Sequence, residues 1–374
     1  MIRIESSGFV LYNHKMDWQL PERARKGRGA VSNRVGRFET TDRFAIDDGW
    51  SLESDEPERV ATTLSVDSAR TVIARNNSPD VPFDRSINPY RGCEHGCSYC
   101  FARPTHAYYG LSPGLDFESR LFYKPDAAER LRKELDDPKY RPDVMALGTN
   151  TDPYQPVERE QRLTRRILGV LAEYNHSFSI VTKSDLVLRD TDIIGPMAAK
   201  GMAVVTLSVT TLDRDLARKL EPRAPTPAKR LAAIGTLSAL GIPTGVLAAP
   251  MIPALNDMEL EKILESAARA GATGAGYVML RLPLEITDLF REWLETHFPD
   301  KAAHVLNLVK QTRGGAMYNS GWGQRAVGSG PYADLLRHRF KLALRKYGLD
   351  KRVLDLDAKQ FRRPPRAGDQ LDLF

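Results

Sequence analysis

Three cysteines, Cys93, Cys97 and Cys100, sit between positions 93 and 100 of a 374-residue chain that has no others. An odd, clustered set cannot build a disulfide framework, which needs pairs spread along the chain. Thiolates are soft ligands that suit zinc or iron–sulfur centres, so the spacing C-x3-C-x2-C reads as a metal site in a reducing compartment. A structural zinc ion wants four protein ligands. His95 or His106 would supply the fourth, which makes a non-catalytic, zinc-stapled binding module one reading. An iron–sulfur cluster of four irons is the other: three cysteines leave one iron free to chelate a small molecule and pass it an electron.

Around this loop the chain has the make-up of a globular protein. Hydrophobic residues at 42% and charged residues at 27% can build a real core and exclude a wholly disordered chain. Lys and Arg number 54 against 48 Asp and Glu, a surplus of +6 that permits a polyanionic partner without demanding one. No apolar run approaches the roughly 18 residues of a membrane span. The N-terminal Met1-Ile2-Arg3-Ile4-Glu5 lacks the basic-then-apolar order of a signal peptide. A cytoplasmic protein without membrane contact is the expectation.

Four regions are expected. Residues 1–84 alternate basic and acidic blocks with little apolar periodicity and read as an irregular extension wrapped over the main domain. Its Arg23–Gly29 stretch is basic, and a phosphate-contacting arm is the sharper alternative to a solvated surface. From 85 to 300, short apolar runs at 84–90, 144–148, 178–182, 203–209, 245–249 and 276–280 read as strands of a parallel sheet covered on both faces. Amphipathic stretches near 127–135, 160–174, 191–200, 226–240 and 257–270 read as the helices between them, the last opened by Asn256-Asp257 as N-cap and closed by Gly271. Residues 301–360 look helical with a Gly-rich insertion, and 361–374 form a Pro- and Arg-rich flexible tail. Repeated strand–helix units mean a parallel α/β architecture, with its chemistry at the C-terminal ends of the strands.

The loop Tyr90-Arg91-Gly92-Cys93-Glu94-His95-Gly96-Cys97-Ser98-Tyr99-Cys100-Phe101 resembles the cluster loop of radical S-adenosylmethionine (SAM) enzymes, where it follows the first strand of a partial (β/α)6 barrel. The segments Gly148-Thr149-Asn150-Thr151-Asp152-Pro153, Val181-Thr182-Lys183-Ser184, Ser208-Val209-Thr210-Thr211, Leu220-Glu221-Pro222-Arg223, Ala248-Ala249-Pro250-Met251 and Leu280-Arg281-Leu282-Pro283 are similar to the branch related to spore photoproduct lyase. The N-terminal Lys26-Gly27-Arg28-Gly29-Ala30-Val31-Ser32-Asn33 is similar to a bacterial subgroup of it. The resemblance implies a lyase-like enzyme whose 4Fe–4S cluster, on Cys93, Cys97 and Cys100, reductively cleaves SAM to a 5′-deoxyadenosyl radical, with electrons from a donor such as flavodoxin or ferredoxin. It implies Thr151 and Asp152 at the methionyl amine, Lys183 at the carboxylate, Ser208 at the ribose, and Tyr99 and Ala249 at the adenine. It also exposes a departure. The lyase has a hydrogen-donating cysteine where this chain has Thr149, and a threonine hydroxyl is a far poorer hydrogen-atom donor. Thr149 and Tyr99 are the candidates for a direct catalytic part.

The substrate reading is DNA or another nucleic acid in a repair-like reaction, with radical modification of a protein or metabolite as the alternative. The chain ends Gln370-Leu371-Asp372-Leu373-Phe374. These residues resemble the short peptide by which bacterial polymerases and repair proteins bind the DNA sliding clamp, carried here on a Pro- and Arg-rich tether.

Overall fold

A computed structural model describes residues 23–40, 60–350 and 356–365. Among them the strands are β1 (Thr63–Val66), β2 (Ile73–Arg75), β3 (Arg85–Ile87), β4 (Tyr90–Arg91), β5 (Arg120–Tyr123), β6 (Met145–Leu147), β7 (Phe178–Thr182), β8 (Ala203–Ser208), β9 (Thr244–Met251) and β10 (Gly274–Met279). Seven form one sheet in the order β10-β9-β8-β7-β6-β3-β2. β3 and β6 to β10 run parallel, the α/β partial barrel of six strands, while β2 adds an antiparallel edge beside β3.

β3 and β6 to β9 are almost wholly buried because helices cover the outer face and side chains fill the inner one, while β10 at the sheet edge is partly buried. Ile87, Leu147, Ile180, Val205, Leu207 and Val246 belong to one core, joined by Leu131, Ile167, Ile194, Ile234 and Ile263 from the helices. Those helices are Ala127–Asp136, Leu163–Glu173, Thr191–Ala199, Pro227–Ala239 and Leu260–Arg269. A second core gathers Leu220, Ile252, Leu282, Phe290, Trp293 and Val305 beneath helices Ile286–His297 and Pro299–Gln311. The basic helix Pro331–Tyr347 closes the far end through Leu336 and Phe340.

Four expectations need correction. The run 84–90 is not one strand. Pro89 has no N–H to give to a ladder, and the chain turns there, so β3 stays in the large sheet while β4 pairs antiparallel with β5 in a second sheet, completed by β1. Asn256 does not cap the helix after it; its amide instead donates to the carbonyls of Thr210 (2.7 Å) and Pro250 (2.9 Å) and accepts from Ile252 N–H (2.6 Å). Part of the basic N-terminal block is buried: Arg28 donates to Glu118 O at 2.6 Å and to Thr62 Oγ1 at 3.1 Å, so it is no free phosphate ligand. The first residues of the tail are fastened too. The Phe361 ring sits 5.6–6.2 Å from those of Tyr140, Tyr174 and His176, and Arg363 donates to the carbonyls of Leu135 and Asp137. The clamp-like residues Gln370, Leu371, Asp372, Leu373 and Phe374 lie outside the described residues.

Candidate active site

The cysteine loop leaves β4 as a series of turns, and neighbouring elements meet its backbone needs. Cys93 N–H donates to Phe117 O at 2.9 Å and Ser98 N–H to Leu220 O at 3.0 Å. The fully buried Gln155 amide clamps both sides of Cys93, accepting from Glu94 N–H (2.8 Å) and donating to Gly92 O (3.2 Å). Arg103, also fully buried, donates from Nε to Cys97 O at 2.9 Å. Cys93 and Cys97 are buried and Cys100 is half-buried, all as free thiols. Burial pushes the Cys97 thiol up to about 12 and raises that of Cys93 as well. Such thiols ionise by exchanging their protons for a metal.

Neither histidine completes a tetrahedral set with these thiols. His106 turns Nε2 to Arg120 O at 3.0 Å and packs edge-on against Phe117 and Phe122. His95 Nδ1 lies 3.4 Å from Asp152 Oδ2, a close approach without hydrogen-bond geometry. Among the described residues no three His, Cys, Asp or Glu side chains are spaced to hold one ion. Three separate thiols fit a polynuclear sulfide cluster, in which each binds a different iron.

The strand ends bring the other candidates to the same side. Asp152, after β6, accepts from Thr182 Oγ1 (2.6 Å), Lys183 N–H (2.8 Å) and Tyr154 N–H (2.9 Å). Burial opposes its ionisation, but His95 and these donors hold the carboxyl well below the usual range. Lys183, after β7, reaches toward Cys97 and Glu221, its Nζ 5.9 Å from the centre of the Tyr99 ring. Among the described residues Nζ makes no ion pair or hydrogen bond, so this is an ammonium in want of an anion. Its location fits the carboxylate of an amino-acid-like ligand.

Other candidates are spent on the protein itself. Thr151 Oγ1 donates to Tyr90 O at 3.1 Å, and Ser208 Oγ to Ala249 O at 3.4 Å, so both hydroxyls already serve backbone carbonyls. Ala249 O also accepts from Thr210 Oγ1 at 2.8 Å. Thr149 Oγ1 pairs with the Asn88 side chain, whose oxygen also takes the N–H groups of Asn150 and Thr151.

Sequence reading missed the group that ties these strands together. Glu221 is almost fully buried and accepts from Tyr99 Oη, Thr210 Oγ1 (2.6 Å) and Arg230 Nη2. Arg230 in turn donates to Ser208 O at 3.0 Å and Pro225 O at 2.8 Å. Glu221-Pro222-Arg223 stands out in the sequence, but nothing there pairs it with Arg230 or Tyr99. The buried Gln155, Arg103 and Glu118 and the half-buried Asn88 have parts here that the sequence alone does not assign.

The Radical SAM superfamily model matches residues 87–267. Uncharacterised proteins of Mycobacterium bovis and Mycobacterium tuberculosis are each 37% identical to this chain over 275 residues, 73% of the chain and 77% of the relative. Another, from Methanocaldococcus jannaschii, is 29% identical over 59% of the chain and 79% of its own length. In fold the chain is similar to spore photoproduct lyase complexed with a dinucleoside spore photoproduct (TM-score 0.53, 16% identity, 76% and 79% coverage). It is likewise similar to a variant of that lyase with bound SAM (TM-score 0.54, 16% identity, the same coverage).

The Glu221–Arg230 pair yields a pH test. Burial would raise the Glu221 pKa, but Arg230 and Lys183 overcome it and bring it from 4.5 down to about 2. A lowered carboxylate stabilises the fold fully above its unfolded value and ceases to as pH falls through the folded one. Wild type should therefore lose stability in urea titrations between pH 4.5 and about 2. Glu221→Gln should remove that part of the pH dependence. It should also cost about 3–5 kcal/mol at neutral pH, because it strands a buried guanidinium.

Proposed function

Because this chain belongs to the radical SAM superfamily, whose members are enzymes, we propose that it is a SAM-cleaving iron–sulfur enzyme acting on DNA or another nucleic acid in a repair-like reaction. The observation that carries the cofactor reading is the meeting of three thiols with the unpaired Lys183 ammonium at the C-terminal edge of a parallel barrel. When bound, a 4Fe–4S cluster supplies the electron that cleaves SAM to a 5′-deoxyadenosyl radical. The chain's own residues do the rest. Cys93, Cys97 and Cys100 hold the cluster and leave one iron open. Lys183 neutralises the methionyl carboxylate. Asp152 fixes the turn that carries Lys183, accepting from the Lys183 N–H and from Thr182, and sits beside Cys93 for the amine. Thr151, Ser208 and Ala249 shape the wall through their backbone bonds, and Tyr99, locked by Glu221, presents its ring beside Lys183. Burial of the thiols excludes water from the reacting group. A flavodoxin or ferredoxin is the proposed reductant.

Arg281 supports an anionic substrate. It follows β10, lies 4.8 Å above the Phe101 ring next to the last cysteine, and makes no ion pair among the described residues; its Nε is buried without a partner. Nearby Arg313 is spent on the carbonyls of Leu280, Gln324 and Arg325. A guanidinium kept free beside an aromatic face suits a phosphodiester and a stacked base. We infer the DNA sliding clamp as a partner from Gln370, Leu371, Asp372, Leu373 and Phe374. This would bring the enzyme to its substrate.

Each of Cys93→Ala, Cys97→Ala and Cys100→Ala should abolish formation of 5′-deoxyadenosine from SAM under dithionite. A variant with wild-type turnover removes that cysteine from the ligand set.

Duplex or single-stranded DNA should bind with an affinity that falls steeply as salt rises, and Arg281→Ala should weaken it. Salt-independent or absent binding would favour a protein or metabolite substrate. Wild type should repair little thymine photoproduct because Thr149 is a poor hydrogen donor, and Thr149→Cys should raise the yield; efficient repair by the unmodified chain would contradict this.

Deleting the last five residues should abolish binding to purified clamp, which for an apolar-anchored peptide lies near micromolar, about −8 kcal/mol. Equal binding with and without them, or none by either, ends the clamp reading.

A further inference from the structure

The segment 28–33 lies outside the stretch matched by the family model, yet it is built into the cysteine loop. Its backbone crosses the loop so closely that a Cβ on Gly29 would stand 1.7 Å from Gly96 O and 3.2 Å from Ser98 N. On the other side of the crossing, a Cβ on Gly96, whose φ is +66°, would stand 2.5 Å from Glu118 Oε2. Only glycine permits such contact at either position. The Glu118 carboxylate, 0% exposed, fills the crossing and accepts from Gly29 N–H (2.9 Å), Ala30 N–H (2.7 Å) and Arg103 Nη2 (2.6 Å). Arg103 carries the connection on, through Nε, to Cys97 O. One chain of bonds therefore runs from the N-terminal backbone through two buried charges to a candidate cluster ligand.

More contacts lie along the same segment. Val31 packs in the core that contains Cys97 and Tyr99. Ser32 O accepts from Leu115 N–H at 3.2 Å, and Asn33 exchanges hydrogen bonds with Asp116 at 2.9 and 3.1 Å. Burying an ion pair is costly unless every polar atom is met; here Glu118 accepts from the segment's N–H groups and Arg103 donates to the loop's Cys97 carbonyl. Two hydroxyls, Ser32 Oγ in the segment and Ser98 Oγ in the loop, are buried without partners among the described residues, an arrangement that costs about 1–3 kcal/mol for each hydroxyl left unmet.

We propose that residues 28–33 are a strap belonging to the cluster site. Gly29 and Glu118 act as positioning residues that set the shape of the cysteine loop and shield its thiols. The proposal rests on the reading of Cys93, Cys97 and Cys100 as cluster ligands. It extends the site to a segment about 60 residues upstream of the cysteines, beyond the barrel.

The test compares wild type, Gly29→Ala, Glu118→Gln and, as a control in open space on a helix, Gly169→Ala. All are reconstituted anaerobically with iron and sulfide as full-length chains. Iron and sulfide content, midpoint potential, bleaching rate in air and far-UV circular dichroism are read for each. Gly29→Ala and Glu118→Gln should keep the barrel's dichroism while cluster affinity falls roughly 10–100-fold and bleaching quickens. Gly169→Ala should match wild type. Hydrogen exchange on wild type alone removes dependence on how the variants fold: loading should protect 28–33 together with 93–100. Wild-type iron content, potential and bleaching in Gly29→Ala and Glu118→Gln would overturn the strap, as would strap amides indifferent to loading. If wild type takes up no iron and sulfide at all, it is the cluster reading that has failed.

Discussion

A loop of turns that carries three thiols has no helix or strand to satisfy its own backbone, so side chains brought from elsewhere must do it. In this chain the work falls to buried polar groups with several partners each. Gln155 clamps the backbone on both sides of Cys93. Arg103 takes the Cys97 carbonyl, and Glu118 neutralises Arg103. Glu221, neutralised by Arg230, fixes the Tyr99 hydroxyl. Each guanidinium–carboxylate pair is costly to bury and strongly destabilising to break. Their benefit is a single geometry for the loop, and that is what ligation of a cluster requires.

The barrel supplies the rest by topology. Six parallel strands with helical returns bring every strand C-terminus to one edge, so Asp152, Lys183, Ser208 and Ala249, separated by up to about a hundred residues of chain, share one rim with the cysteines. Most of these side chains spend their hydrogen bonds on one another or on the backbone. Among the described residues the cations of Lys183 and Arg281 do not, one lying beside Cys97 and one above Phe101, which is what supports the proposed anionic ligands.

Period and spacing made much of this readable beforehand. Apolar runs bounded by amphipathic stretches placed all six parallel strands and the helices between them, and the three-cysteine loop pointed to the superfamily whose model matches residues 87–267. What escaped were features decided by distant partners. The break of the first strand at Pro89 was within reach, since proline cannot join a ladder. The burial of Arg28 was not, because its acceptor on Glu118 lies ninety positions away and a basic, Gly-rich block looks solvated on its own. Phe361 looked like tail because the pocket of Tyr140, Tyr174 and His176 exists only once the helices have packed. Thr151 and Ser208, read as ligand-facing, also donate to the carbonyls of Tyr90 and Ala249, a second duty that spacing along the chain does not show.

The central claim is that the three thiols hold a cluster with one iron open to SAM. Electron paramagnetic resonance of the anaerobically reconstituted, dithionite-reduced protein, recorded with and without SAM, tests it most directly. The account predicts a reduced 4Fe–4S signal whose g-values change when SAM is added, a change that weakens in Lys183→Ala. A protein that holds zinc in place of iron, or a cluster signal indifferent to SAM, would contradict it.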